Sequence, residues 1–257
     1  MLDGLSKRLL IVIVVMMGAV FLSAPTVGAQ DLNIGFITGR GADAGVEEDA
    51  WTRSGLDKTN IKNDADYAPD NLSTFDVISI GVVAYDQNEE LKANFENLKE
   101  WVEQGGYLVT IDFQQDNSWD TNYLPHSLTL KDPDLDDGVP VEISDHPIWK
   151  TPNLITEDHF GVGIWGGGDF MADGPEAVDP PWEPLLLAGA NNWPVIVGAE
   201  AGKGYVVFNS LQVLQALGRV GDDIVIEVMH NLLLWRGVRD VAPAGKLTTV
   251  WGILKRD

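Results

Sequence analysis

The stretch Asn88–Asp112, NEELKANFENLKEWVEQGGYLVTID, decides the fold. Leu91, Phe95, Leu98, Trp101 and Val102 recur at spacings of three, four and seven residues, which puts them on one face of an α-helix. Glu89 and Glu90 fall in its first turn, where the helix dipole favours acids. Gly105-Gly106 stops the helix, and Tyr107-Leu-Val-Thr-Ile-Asp112 follows at once as a strand. Upstream, Phe75-Asp-Val-Ile-Ser-Ile-Gly-Val-Val83 is a second apolar strand. Strand, helix and returning strand in this order form a βαβ unit, and such units build parallel sheets with right-handed crossovers. The strands are short and almost wholly apolar, as expected where both faces of a sheet are covered. The expected fold is therefore α/β, a doubly wound and mostly parallel sheet.

Working outward, Leu32–Thr38 reads as the first strand and ends at the turn Gly39-Arg40-Gly41. A short helix is expected around Glu47–Leu56, and Asn60–Asn71 has no apolar period and reads as loop. Residues 113–140 are rich in Asp, Asn and Pro and read as a long excursion. Val141–Ile143, Asn153–Thr156, Trp182–Gly189 and Pro194–Ala199 read as strand segments. Ala201-Gly-Lys-Gly204 is a hairpin turn leading into the strand Tyr205–Ser210. One or two helical turns are expected over residues 211–217 and a terminal helix over Asp222–Trp235, with Ile224, Val228, Leu232 and Trp235 on one face.

Residues 1–29 place Lys7 and Arg8 before fourteen uncharged residues, Leu9–Leu22, and close on Val27-Gly28-Ala29. A basic start, an apolar run and a small-residue site are the pattern of a secretory signal cut before Gln30. Fourteen helical residues rise about 21 Å, short of the roughly 30 Å hydrocarbon core. An uncleaved anchor is the alternative. In either case the expected location is exported, periplasmic or extracellular. The segment carries Asp3, Lys7 and Arg8, so the formal charge of −22 becomes −23 over the 228 residues that follow. That charge argues against nucleic acid, whose phosphates need Lys and Arg, and against anionic membrane surfaces. It reads first as a solubility charge, with cation binding by clustered carboxylates as the sharper alternative. Nine Trp and eight Phe can fill a core without disulfides, and the chain has no cysteine. Thiol nucleophiles and thiolate metal sites are thereby excluded.

Four stretches carry a family resemblance. They are Phe75–Gly81; Leu98-Lys-Glu-Trp-Val-Glu-Gln-Gly-Gly-Tyr-Leu-Val-Thr-Ile111; Asp145-His-Pro-Ile148 followed by Asp158-His-Phe160; and Pro194–Asn209 with Gly202-Lys-Gly-Tyr-Val-Val-Phe-Asn209. In order and spacing they resemble the class I glutamine amidotransferase-like superfamily, and most of all its trehalose-utilisation-like (ThuA-like), sugar-associated domains. The resemblance spans about residues 32–236. It implies a flavodoxin-like arrangement with a late β-hairpin, a domain over residues 30–240 and a tail over 241–257. It also implies a nucleophile elbow after the strand 107–111. Amidotransferases present a Cys there, with His and Glu partners downstream. This chain reads Ile111-Asp112-Phe113-Gln114, so the glutaminase triad cannot be carried over to any residue.

Ligands of wound α/β sheets sit beyond the carboxyl ends of the strands. This places Thr38, Gly39, Arg40, Tyr85 and the Asp112–Asp116 segment at one rim. Asp112, Gln114, Asp116 and Trp119 suit a sugar: carboxylates and amides take hydroxyl hydrogen bonds and an indole covers the apolar ring face. The plainer alternative has Asp112 capping a loop and Trp119 packing on the domain. Asp145-His146 and Asp158-His159 are the clustered histidines; metal ligation competes there with turn-capping and backbone hydrogen bonds. Asp132-Pro-Asp-Leu-Asp-Asp-Gly138 resembles a calcium loop, but Asp137 and Ile143 stand where an EF-hand needs Gly and Glu. No cofactor is expected, and a calcium site of another kind stays as an alternative. Gly161–Gly168 around Trp165 is either an aromatic flap or a turn needing positive φ.

The leading expectation is a secreted, non-catalytic amidotransferase-like domain that binds a carbohydrate or a cell-envelope protein, with Thr38, Gly39, Arg40, Asp112, Gln114, Asp116, Trp119, Asp158 and His159 as candidate contacts. One alternative is a carbohydrate-active enzyme using Asp112 and the Asp158/His159 region as acid and base. Another is an envelope assembly module acting through the tail.

Overall fold

The computed structural model describes residues 32–39, 44–113, 124–131, 135–166, 169–171, 173–219 and 222–239. In chain order the elements are β1 (Ile34–Ile37), α1 (Ala44–Ser54), β2 (Thr59–Asn60), β3 (Val77–Ile80), α2 (Glu89–Glu103) and β4 (Tyr107–Thr110). Then come β5 (Leu130–Lys131), β6 (Leu135–Asp136), β7 (Val141–Ile143), β8 (Asp169–Met171) and β9 (Gly174–Pro175). The chain continues through β10 (Glu183–Ala188), β11 (Trp193–Ala201), β12 (Gly204–Asn209), α3 (Val213–Arg219) and α4 (Asp223–Arg239).

Eight strands form one sheet in the order β2-β1-β3-β4-β12-β11-β10-β7. The run β2-β1-β3-β4-β12 is parallel, with Val77 opposite Ile34 and Tyr107, and Tyr107 opposite Tyr205. The run β12-β11-β10-β7 is antiparallel. The sheet is therefore mixed, with four parallel and three antiparallel pairings, so the expected parallel arrangement holds for one half of it. The reason lies in connection length. Two residues join β11 to β12 and four join β10 to β11, whereas a parallel return needs a crossover of a dozen or more residues.

Helices cover both faces of the parallel half. Ile34, Phe36, Val77, Tyr107, Val109, Tyr205 and Val207 point to one core, with Trp51 of α1, Leu214 of α3 and Val228 and Leu232 of α4. Ile37, Ile78, Ile80, Leu108, Val206 and Phe208 point to the other, with Leu91, Leu98, Trp101 and Val102 of α2. This alternation explains the unbroken apolar strands. Helix α2 begins where Asn88 Oδ1 accepts from Leu91 N at 3.0 Å, an N-cap.

Two segments differ from the sequence reading. Residues 60–71 hold a helical turn at Asp64–Tyr67 and another at Pro69–Leu72, with Tyr67 and Leu72 fully buried. They are organised locally: Asp66 Oδ2 accepts from Lys62 N and Asn63 N at 2.8 and 2.9 Å, and these bonds hold its carboxyl below the ordinary range. Asn153–Thr156 is not a strand. Asn153 N instead donates to Asn231 Oδ1 of α4 at 2.9 Å, and Ile155 N donates to Trp149 O at 2.8 Å.

The β11–β12 turn docks against the end of α2. Lys203 N donates to Glu103 O at 2.8 Å and Tyr205 N to Gly106 O at 3.1 Å. A Cβ on Gly204 would lie 1.8 Å from Val102 O, a backbone atom that cannot give way. Gly204→Ala is therefore expected to cost at least about 2 kcal/mol in urea unfolding, while Lys203→Ala at the same tip stays within about 0.5 kcal/mol.

Candidate functional site

The carboxyl ends of β1, β3, β4 and β12 converge on a group of buried polar side chains, and Glu47 of α1 organises the first two. It is 1% exposed. Its Oε1 accepts from Val82 N at 2.7 Å and its Oε2 from the Thr38 hydroxyl at 2.5 Å. Glu47 shares a face with Ala50, Trp51 and Ser54, so the helix that carries it points it inward. Gly39 has a steric role here, since a Cβ would meet Val82 O at 1.5 Å. Val83, next in line, sits at φ 47° and ψ 16°. A β-branched residue in that region is strained and is held by its surroundings. Asn88 Nδ2 donates to Thr38 O at 3.0 Å, tying the start of α2 to the same rim. The Tyr85 hydroxyl meets Thr110 Oγ1 at 2.9 Å, and burial pushes this phenol well above its ordinary range.

Asp112, just past β4, is fully buried. Its Oδ2 accepts from Gln215 N at 3.1 Å in the first turn of α3. Its Oδ1 has no hydrogen-bond partner among the described residues. Burial pushes the carboxyl up to about 7; hydrogen bonds from Gln215 pull it back, and the Glu47 charge pushes it further. Beside it, Asn209 Nδ2 donates to Ile111 O at 2.5 Å and Phe113 N to Asn209 O at 3.2 Å, locking the ends of β4 and β12 together.

No family model matches the sequence, and no curated protein matches it. Solved structures do. A ThuA-like protein from Bacteroides uniformis aligns at 14% identity and a TM-score of 0.53, over 83% of this chain and 94% of that one. A cytoplasmic protein from Salmonella typhimurium aligns at 15% identity and a TM-score of 0.50, over 78% of this chain and 97% of that one. The fold is like that of the ThuA-like protein.

In this ThuA-like fold the bend after β4 is where the resemblance puts a nucleophile. Here it holds Asp112 between Ile111 and Phe113, all three buried. Thr38, Gly39 and Asp112 thus lie in one neighbourhood, joined through Glu47. The sequence reading missed Glu47; its signal was an acid on the apolar face of α1. Arg40, Gln114, Asp116 and Trp119 lie outside the described residues.

Asp158 and His159 are elsewhere. His159 Nε2 meets Glu227 Oε2 of α4 at 3.2 Å, and its Nδ1 accepts from Thr156 N at 3.1 Å. Asp112 is held by Gln215 of α3 and His159 by Thr156 and Glu227 of α4. Asp158 is exposed, beside a shallow hollow lined by Ile143 and Ile155. His146 Nδ1 accepts from Ile148 N at 3.2 Å, and its ring stacks on Tyr205 at 5.9 Å; Asp145 pairs with Lys150. Among the described residues no three His, Asp or Glu gather to hold a metal ion. Of the calcium-like loop, residues 132–134 lie outside the described residues, and Asp137 Oδ2 accepts from Gly163 N at 2.9 Å. Trp165 is buried, stacked on Phe160 at 6.0 Å and donating to His159 O at 3.0 Å, while Gly163 and Gly166 take positive φ. That is the turn reading of Gly161–Gly166, not the flap.

Two outcomes follow from the rim. Glu47→Ala leaves the buried Val82 N–H without its acceptor and is expected to cost about 2–4 kcal/mol in urea unfolding. Asp112 keeps its proton in the folded state up to about pH 7, whereas the unfolded chain loses it near the ordinary 3.8. Stability therefore falls as pH rises through that window and levels off above it, by up to about 1.4 kcal/mol per pH unit. In Asp112→Asn this component disappears, as denaturation midpoints at pH 4.5, 5.5, 6.5 and 7.5 will show.

Proposed function

We propose that this chain is an exported, non-catalytic binding domain with an amidotransferase-like fold, whose ligand is a carbohydrate or a cell-envelope protein. One observation carries the reading. The position that must present an exposed nucleophile holds a buried carboxyl engaged with the backbone of α3. An attacking group has to reach a carbonyl carbon at about 3 Å, and a side chain with no exposed surface does not. The chain has no cysteine to take its place. The N-terminal pattern supports export, and the net charge of −22 speaks against nucleic acid as the ligand. The proposal includes no cofactor.

A second reading keeps Asp112 as a general acid, favoured by its raised pKa and its unpartnered Oδ1. One assay separates the two. The purified protein is incubated with glutamine and with a panel of p-nitrophenyl glycosides between pH 5 and 8. The binding reading expects no turnover above buffer for any of them. Turnover that vanishes in Asp112→Asn would overturn it in favour of acid catalysis.

A further inference from the structure

On the α2 side of the sheet, strands β10 and β11 have no helix over them among the described residues. They are covered by two connecting segments, residues 124–131 and 174–182, whose Leu124, Leu128 and Trp182 join the core that α2 covers. Between the outer parts of these segments lies a cleft of about 810 Å³. That is within the range of small-molecule sites, roughly 300–1,000 Å³.

The walls are fixed to each other. Leu130 pairs with Pro175 and Lys131 with Gly174 as β5 and β9. Glu176 N donates to Thr129 O at 2.8 Å, and Trp182 Nε1 donates to Ser127 O at 3.2 Å. His126 Nε2 bonds Glu200 O of β11 at 2.9 Å, and its ring meets the Trp182 ring edge-on at 6.1 Å. A cleft held this way is preformed, so a ligand entering it orders little.

The lining has a definite chemistry. A carbonyl can only accept, so the Glu200 contact assigns the proton to His126 Nε2 and leaves Nδ1 as an acceptor. Ser127 and Thr129 contribute hydroxyls, and Asp179 a carboxylate. None of these three side chains makes a hydrogen bond among the described residues. Pro180 and Pro181 add apolar surface between the polar groups. Closely spaced donors and acceptors beside apolar ring surface match a molecule whose hydroxyls alternate with C–H faces. The single charge in the lining is negative, as is the protein overall, which disfavours acidic ligands.

We propose that this cleft binds a neutral oligosaccharide. The proposal rests on the carbohydrate branch of the binding reading above and moves the ligand from the sheet rim to the cover of the antiparallel strands. The test is titration calorimetry of the purified protein with cellotetraose, maltotetraose and mannotetraose, and with tetragalacturonate as the acidic probe. At least one neutral tetrasaccharide is expected to bind with a Kd below about 1 mM. Ser127→Ala and Asp179→Ala should each weaken it at least tenfold with melting temperatures near that of the parent, and Lys92→Gln on the outside of α2 should leave it unchanged. Neutral binding that survives both cleft variants overturns this site and leaves the carbohydrate reading standing. Binding of tetragalacturonate alone overturns the neutral assignment. No binding by any of the four overturns the site and the carbohydrate branch together.

Discussion

Strand β12 joins the parallel and antiparallel halves of the sheet, and the rest of the molecule depends on how it is seated. On one side it is the last parallel strand, paired with β4; on the other it opens the antiparallel run through β11. Its position is set at its first residue. The end of α2 and the Gly105-Gly106 turn present Glu103 O and Gly106 O, and Lys203 N and Tyr205 N reach them only because position 204 has no Cβ. At its last residue, Asn209 Nδ2 donates to Ile111 O and Asn209 O accepts from Phe113 N. Fixed at both ends, β12 carries Tyr205 and Val207 into one core and Val206 and Phe208 into the other.

The rim follows from that seating. With β4 and β12 locked together, Asp112 has nowhere to point except at the first turn of α3, and it becomes a helix-capping acceptor. Glu47 does equivalent work between β1 and β3, accepting from Thr38 and Val82 N. Each acid is held inside by hydrogen-bond donors, and the Glu47 charge is part of why the Asp112 carboxyl is pushed up to about 7. Two buried carboxyls of this kind are costly unless hydrogen-bonded. Here they brace the ends of the parallel strands.

The βαβ unit was legible because its signals are local and redundant: the heptad-spaced face of α2, its Asn88 cap, its paired glycines and the apolar strands on either side. The hairpin was legible from Gly202 and Gly204. What the sequence did not display was the sign of strand pairing beyond β12, because Leu185, Val195 and Ile196 are as apolar as parallel core strands and only connection length separates the cases. Residues 60–71 were read as loop because periodicity detects amphipathic elements, and this segment is organised by the Asp66 carboxylate instead. At the rim, Thr38 and Gly39 were singled out by their place past the carboxyl end of a strand, and Asp112 also as a residue type that binds sugars. The same types also suit tight turns and caps, and composition does not distinguish a hydroxyl facing solvent from one facing Glu47.

The two halves of the sheet consequently differ in what they leave available. In the parallel half several polar groups at the carboxyl ends are turned inward and used: Thr38 on Glu47, Asn88 on Thr38 and Leu91, Asn209 on Ile111 and Leu211. In the antiparallel half the cover is made of turns, and turns expose side chains that strands and helices would bury. Ser127, Thr129 and Asp179 stand out from such turns, while the backbone beneath them is held by His126, Trp182 and the β5–β9 ladder. Exposed side chains on a rigid frame are what recognition requires, because the ligand then meets groups whose positions are already set. The physical distinction between a closed rim and an open, braced cleft, more than the identity of any one residue, is why the proposed binding site lies on the cover of the antiparallel strands.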